Sequence, residues 1–255
     1  MEIQPVVSPA QAENLRSAVR FASTSDAARP VAQAEPPVPE APTPPPHDVG
    51  AGPYASDPWL LDDWVMEPQL SGLAFAVSPI FPNGSRHLAH FLSGTGEPLP
   101  GNADDVLRAA PGLNAKVSEQ VNTELQRIAA QAAATGEYGT PVPFTSGWIE
   151  YNIRPEENQD WHLALGNVNH SVTGVATVQP PERPGEPPRV QIDYQVHLYD
   201  RYNWDAGVPG KQARIFGVIP APDATLAELH RAGVAKEYNS AGSSTTRSYS
   251  GELPR

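Results

Sequence analysis

Two periodicities of hydrophobic residues run along this chain and predict its main elements. Over residues 114–135, apolar residues recur every three or four positions and Gly136 follows as a stop signal, which predicts an amphipathic helix packed on another element. Over residues 190–198, apolar and polar residues alternate, which predicts a strand with one packed face and one solvent-facing side. The apolar positions are Val117, Val121, Leu125, Ile128 and Ala132 in the helix, and Val190, Ile192, Tyr194, Val196 and Leu198 in the strand.

Other short runs of β-branched and aromatic residues, separated by Gly, Pro and Asn, predict further strands. They cover residues 73–77, 148–153, 161–167, 171–178 and 213–219. Asp223 begins a last helical pattern, and the composition of residues 241–255, rich in Ser, Thr and Gly, predicts a loose tail. The predicted fold class is α+β, with a curved, mainly antiparallel sheet of five or six strands and one long packed helix, in a domain over residues 59–240.

The first part of the chain predicts two simpler segments. Residues 1–29 contain a short amphipathic helical pattern, a candidate secretion or partner segment. Ten prolines follow between residues 30 and 58, which predicts a disordered, semi-extended linker of polyproline type.

An apolar cluster with two tryptophans, Trp59 and Trp64, follows the linker. One interpretation is a short helix that docks on the folded domain, since two exposed tryptophans would form an unusual apolar patch. The alternative is a partner-binding motif.

Composition narrows the class of function. The chain has 255 residues, 30 prolines, 20 glycines and no cysteine, which excludes long-helix architectures, disulfides and thiolate metal sites. A net charge of -12 and a sequence pI near 4.9 argue against a nucleic-acid partner. However, seven acidic residues and no Lys or Arg lie between Arg29 and Arg86, so the rest of the chain is closer to neutral and suits an anionic phosphate substrate better than the total charge suggests.

Membrane and export signals are missing from the sequence pattern. No window approaches the roughly 18 apolar residues of a membrane-spanning helix, so we expect no stable membrane insertion. The N-terminus also lacks a basic region followed by an apolar core. We therefore expect secretion by a route without a cleaved Sec signal, or residence in the cytoplasm before export.

The densest polar and aromatic cluster ends the predicted strand over 190–199, a position where scaffolds present functional groups. It consists of Tyr199, Asp200, Arg201, Tyr202, Asn203, Trp204 and Asp205. Its carboxylates, phenols, amide and guanidinium are able to bind a metal or a phosphate or to orient a water. The alternative is a strand-ending turn in which Asp200 and Asn203 bond local backbone groups while the aromatic rings pack.

Two histidine-containing pairs are further candidates. His230 titrates near neutral pH and Arg231 can grip a phosphate, so the pair suits acid–base work on an anionic substrate, although both can face one site only near a helix edge. His87 and His90 share a helical face at a spacing that also occurs in metal sites, without a nearby carboxylate ligand. For both pairs the alternative is an ordinary helix surface.

A resemblance adds to these observations. The run DRYNWDAG at 200–207, LHRAGVAKEY at 229–238, HFLSGTGEPL at 90–99 and WHLALGNV at 161–168 resemble domains at the C-terminal ends of bacterial secreted effectors and polymorphic toxins. The resemblance covers residues 87–244. It implies an antibacterial payload with an immunity or secretion-machinery partner.

A fainter similarity is to the colicin M type of bacteriocin, whose pattern is an Asp, a Tyr two residues on, an adjacent Asp and a His-Arg pair. Asp200, Tyr202 and the pair His230–Arg231 match, whereas Asn203 replaces the second Asp and the spacer is much longer. The resemblance implies Mg²⁺-assisted cleavage of a phosphoester in the undecaprenyl-linked peptidoglycan precursor. It gives Asp200 and Asp205 the metal or the water, Arg231 the phosphate and His230 the proton, with Arg201, Asn203 and Trp204 near the substrate.

Three functions remain open at this point. The first is a secreted antibacterial effector that hydrolyses a phosphoester of the cell envelope, with Asp200, Tyr202, Asp205, His230 and Arg231 as catalytic residues. The second is a non-catalytic binding or assembly module, and the third is a membrane-active payload. Residue patterns alone specify neither a cofactor nor a metal.

Overall fold

The computed structural model describes residues 35–58, 60–205, 214–215, 219–220 and 223–254. The predicted helix within 1–29 and Trp59 lie outside the described residues, as does most of the run at 206–222. Among the described residues, no helix is both long and apolar enough to cross a membrane.

The described helices and strands form the predicted α+β fold. The helices are α1 (Leu61–Val77), α2 (Pro82–Leu92), α3 (Ala103–Ala109), α4 (Pro111–Thr135), α5 (Pro155–Ala164) and α6 (Asp223–Arg231). The strands are β1 (Leu99–Pro100), β2 (Val142–Thr145), β3 (Ile149–Asn152), β4 (Asn167–Gln179), β5 (Arg189–Tyr202), β6 (Arg214–Ile215), β7 (Ile219–Pro220), β8 (Tyr238–Ser243) and β9 (Arg247–Glu252).

Seven of these strands form one sheet around the long antiparallel pair β4 and β5, while β6 and β7 pair separately. Along the outer side of β4, β2 and β3 lie one after the other, and along the outer side of β5, β8 and β9 do the same. β1 extends the sheet beyond β8 and is parallel to it, so the sheet is mainly antiparallel.

A serine bridges each of the two breaks between these outer strands. The Ser146 backbone N–H donates to the Val172 carbonyl oxygen, and the Ser146 hydroxyl accepts from the Val172 N–H, both at 2.8 Å. Ser244 makes the same two bonds to Val196, at 2.8 and 2.9 Å. Since Val172 and Val196 are register partners, the centre of the sheet keeps its hydrogen bonds where both outer ladders are interrupted.

Two apolar clusters hold the helices to the sheet. The stripe predicted for residues 114–135 is buried on α4 and packs against β4 and β5, so this helix prediction is confirmed, with Pro111 at its first turn. A second cluster joins α1, α2 and α6 to Tyr202 and Tyr238 at one end of the sheet.

Three predictions of secondary structure are wrong. Residues 73–77 belong to helix α1, and Trp161 belongs to helix α5, whose Pro155 and acidic first turn lie just before the predicted strand. The predicted loose tail forms the second half of β8 and all of β9, because the long strand β5 offers a full ladder of partners to a chain with little hydrophobic pattern of its own.

Residues 36–58 contain no helix or strand, in agreement with their proline content, and the compact unit of the fold begins at Pro36. The segment crosses the sheet on the side opposite α4. The Thr173 hydroxyl donates to the Pro39 carbonyl oxygen at 2.7 Å, and Trp148 Nε1 donates to the Thr43 carbonyl oxygen at 2.8 Å. His197, predicted to face solvent, is therefore only 3 % exposed, whereas Gln191 on the same strand is exposed.

Candidate functional site

Strand alternation separates the residues of the predicted site onto two faces of the sheet. Asp200 and Tyr202 face α2, where Tyr202 stacks on Tyr238 with ring centroids 5.1 Å apart. Arg201 and Asn203 face the other side, which residues 36–58 cross. The structure therefore does not bring Asp200 and Tyr202 together with the donors on that side.

Asp200 lies in a buried environment that favours its neutral form. Its carboxyl lines a cavity of about 60 Å³ with Arg86 and His87. Burial raises the pKa of Asp200 well above its ordinary value and lowers the pKa of His87 to about 4. Burial thus works against an ionised Asp200, and Tyr202, whose pKa burial also raises, packs in the core.

The His87 and His90 pair packs on Tyr238. The Tyr238 hydroxyl donates to the His87 carbonyl oxygen at 3.0 Å and lies 3.0 Å from His87 Nδ1, while His90 Nε2 lies 2.8 Å from the Glu97 carbonyl oxygen. Within the ranges that the structure describes, no group of three or more His, Asp or Glu side chains is arranged to hold a metal ion.

Glu237 is the centre of the polar groups on the other side. Its side chain is 2 % exposed, and its Oε1 accepts from the backbone N–H groups of Ala51 and Trp204, each at 2.9 Å. Its Oε2 lies 3.6 Å from Nη2 of Arg201, whose Nη1 donates to Asn239 at 3.1 Å. Sequence reasoning did not single out Glu237, although it lies in the run LHRAGVAKEY, seven residues after His230.

The backbone N–H of Glu237 fixes the tautomer of His230. The Glu237 N–H donates to His230 Nδ1 at 3.1 Å, so the ring proton is on Nε2, which donates to the Gly52 carbonyl oxygen at 3.1 Å. Burial lowers the pKa of His230, so the ring is neutral near pH 7.

Arg231 and Asn203 complete the group. Arg231 Nε donates to the Asp57 carboxylate at 2.9 Å, and its Nη1 lies 3.4 Å from the Ala51 carbonyl oxygen. The Asn203 side-chain amide donates to the Asp48 carboxylate. His230 and Arg231 end helix α6, and from there both contact the same stretch of chain.

We call Asn203, His230, Arg231 and Glu237 the Glu237 site. Arg201 is not part of this set and contacts it through Glu237. Three hydrogen-bond donors and one carboxylate meet one stretch of chain there, residues 48–57, which we call the strap. Donors of this kind bind anions. Trp204 contributes its backbone N–H, whereas its ring packs on Phe91 and Tyr202 in the core.

Comparisons with known proteins give weak structural matches. No family model and no curated protein match the chain. Syringacin M, a bacteriocin from Pseudomonas syringae pv. tomato DC3000, is similar over 67 % of this chain at 16 % identity with a TM-score of 0.35. PaeM, a colicin M-like bacteriocin from Pseudomonas aeruginosa, is similar over 68 % at 12 % identity with a TM-score of 0.36. The matched region spans 52 % of each bacteriocin, and these values are too low to transfer a function or a site residue.

Proposed function

We propose that the Glu237 site binds and hydrolyses a phosphoester, and that the protein is a secreted antibacterial effector. The observation that carries the proposal is the set of groups around residues 48–57: two cationic or polar donors and an imidazole N–H beside a buried carboxylate. An anionic substrate would use the donors, and water would use the carboxylate.

The donors suit the oxygens of a phosphoryl group. Arg231 supplies a guanidinium, Asn203 an amide and His230 a neutral Nε2–H whose tautomer is already fixed. His230 Nε2 and the Glu237 carboxylate contact neighbouring residues, Gly52 and Ala51, whose Cα atoms are about 3.8 Å apart across a trans peptide. A donor and a carboxylate thus meet adjacent residues of the same stretch of chain.

Glu237 is the general base of the proposed reaction. A water that takes the place of the Ala51 N–H would donate to Glu237 Oε1 and attack phosphorus. The new P–O bond forms as the bond to the ester oxygen breaks, the water proton goes to Glu237, and the leaving oxygen takes a proton from solvent. Arg201 lies 3.6 Å from Glu237 Oε2, and His230 and Arg231 stabilise the phosphoryl charge.

The substrate class comes from the sequence resemblance. A colicin M type pattern implies the phosphoester side of the undecaprenyl-linked peptidoglycan precursor, and the Arg and His of that pattern are Arg231 and His230. The resemblance also implies Mg²⁺, which carboxylates hold together with substrate phosphates. Asp200 and Glu237 face opposite sides of the sheet and do not form such a set, so the proposed step uses side chains alone.

Growth of a sensitive bacterium that expresses the full chain tests the proposal. We expect arrest when the chain is exported to the periplasm by an added Sec signal, and normal growth when it stays in the cytoplasm. Arg231→Ala and Glu237→Gln should abolish the arrest, and Glu228→Gln, an exposed glutamate on α6, should not. Full toxicity of Arg231→Ala and Glu237→Gln would reject the proposal, and so would equal growth in both compartments that persists with Asp57→Lys, which removes a carboxylate from Arg231.

A further inference from the structure

We propose that the strap, residues 48–57, is an autoinhibitory segment that occupies the Glu237 site and must leave before a substrate binds. The inference rests on the proposed function and adds a regulatory device to it. The observation behind it is that one short stretch of the same chain makes a hydrogen bond to every group of that site.

The strap supplies a partner of the matching kind to each group. Asp48 and Asp57 place carboxylates on Asn203 and Arg231. The adjacent residues Ala51 and Gly52 donate an N–H to Glu237 and offer a carbonyl oxygen to His230. Oxygen atoms of the strap therefore lie on all three donors, where the oxygens of a bound anion would lie.

Backbone hydrogen bonds align the last part of the strap with the end of α6. The Ala55 N–H donates to the His230 carbonyl oxygen at 3.3 Å, and the Asp57 N–H donates to the Arg231 carbonyl oxygen at 2.9 Å. The strap is thus held in one register along the residues that would bind substrate, and a shift by one residue would remove Asp57 from Arg231.

A glycine turn brings the strap close to Glu237. The Gly52 N–H donates to the Val49 carbonyl oxygen at 3.0 Å, and Gly50 has a φ of 49°. A Cβ at Gly50 would lie 2.6 Å from Glu237 Oε2, so only glycine allows this approach. At Gly52, with a φ of 93°, a Cβ would meet nothing within 4 Å.

The strap buries little apolar surface, which makes its release feasible. Ala51 is its one buried residue, while Val49 is 88 % exposed and Tyr54 is 41 % exposed. Polar contacts of this kind can be replaced by water or by a charged ligand, whereas a buried apolar anchor would resist release.

A charge reversal in the strap tests the inference in the full chain. Asp57→Lys places a cation against Arg231 and leaves every group of the Glu237 site unchanged. The matched control is Glu40→Lys, the same charge change at an exposed residue of the proline-rich segment before the strap. We measure the affinity for inorganic pyrophosphate by calorimetry and the hydrogen exchange of the amides of Ala51, Ala55 and Asp57.

We expect Asp57→Lys to bind pyrophosphate at least tenfold more tightly than the wild-type chain and to exchange the three amides faster, while Glu40→Lys matches the wild type in both. Equal pyrophosphate affinity in Asp57→Lys and wild type would overturn the inference, and so would slower or unchanged amide exchange.

A second variant keeps the inference testable if the Asp57→Lys protein does not fold. Gly50→Ala pushes the strap away from Glu237 by steric contact, with Gly52→Ala as the control that also adds a side chain at a positive φ but without that contact. Tighter pyrophosphate binding by Gly50→Ala than by Gly52→Ala supports the strap, and equal binding overturns it.

The two proposals fail in different ways. Phosphoester hydrolysis at equal rates by wild type and Asp57→Lys would overturn the strap and support the proposed function. Faster amide exchange and tighter pyrophosphate binding in Asp57→Lys, without hydrolysis by any variant, would support the strap and overturn the proposed reaction.

Discussion

Asp200 and Arg201 are neighbours in sequence with opposite surroundings, because successive side chains of a strand point to opposite faces. Asp200 is enclosed under α2, whereas Arg201 faces Glu237 and Asn239. A cluster that is dense in sequence is thus divided in space. Neighbouring residues of this cluster therefore have different environments and different partners.

We expect Asp200→Asn to retain phosphoester hydrolysis and to gain stability relative to wild type as the pH rises above about 4. Burial raises the folded-state pKa of Asp200, so the folded chain keeps a proton that the unfolded chain releases above 3.8, and stability falls with rising pH. An amide avoids this cost. Urea unfolding from pH 4 to 8 measures the difference, and a hundredfold loss of hydrolysis in a folded Asp200→Asn protein would contradict the assignment.

Residue type in the sequence drew attention to four of the residues in this region. His230, Arg231 and Asn203 each contact residues 48–57, and Arg201 contacts Glu237. Glu237 was not identified, because a single glutamate beside a lysine carries no signal until strand pairing places it next to Arg201.

Among the secondary-structure elements, β4 and β5 are bonded at their centre by the two serines that bridge the breaks between the outer strands. The Val172 and Val196 N–H groups lie at buried positions, and each has the hydroxyl of Ser146 or Ser244 as its acceptor. Without the hydroxyl, each N–H would be left without that partner.

We expect Ser146→Ala and Ser244→Ala each to lower the free energy of unfolding by about 1–3 kcal/mol, since each leaves a buried backbone donor unsatisfied. Ser250→Ala, at an exposed position of β9, should change it by less than about 0.5 kcal/mol. Urea unfolding of the three variants measures this. Equal stability of all three would show that the bridges do not hold the sheet centre.

The sequence distinguishes a helix from a strand where apolar residues repeat with the same spacing over many positions. The helix over 114–135 and the strand over 190–198 satisfy that condition, and both were found. The five residues at 73–77 are too short to separate a strand from a buried helical turn, and the signal for α5 lies before Trp161, at Pro155 and its acidic first turn. The strands β8 and β9 depend on pairing with β5, which no local pattern encodes.

Considered as a whole, the molecule covers a polar sheet face with a proline-rich segment. Prolines lack a backbone N–H, so this segment cannot join the sheet as a regular strand, but its carbonyl oxygens accept from Thr173 and Trp148. The linker composition predicts the extended backbone and gives no sign of this packing. The strap continues the same path to the Glu237 site.

We expect the protein to lose stability as the pH falls from 6.5 to about 4. Burial lowers the pKa of His87 and of His170 to about 4, and lowers those of His197 and His230, so the unfolded chain takes up more protons in this window. The cost at pH 5 is about 2 kcal/mol for each of the first two histidines. The raised pKa of Asp200 makes the folded state more stable as the pH falls, but it is one group against four histidines.

Urea unfolding at pH 7.5 and pH 5.0 tests this expectation. A lower midpoint at pH 5.0, with an unchanged slope, is the expected result. An equal or higher midpoint at pH 5.0 would mean that these histidines take up protons in the folded protein.

The most direct test of whether the Glu237 site is catalytic uses the undecaprenyl-linked peptidoglycan precursor as substrate. It measures the rate at which the phosphorylated product is released. The comparison uses the full chain with Asp57→Lys and the same chain with Asp57→Lys and Glu237→Gln. We predict product from the first protein and a rate at least about a hundredfold lower from the second, because the general base is lost. Equal rates from the two proteins, or no product from the first, would contradict the proposed function.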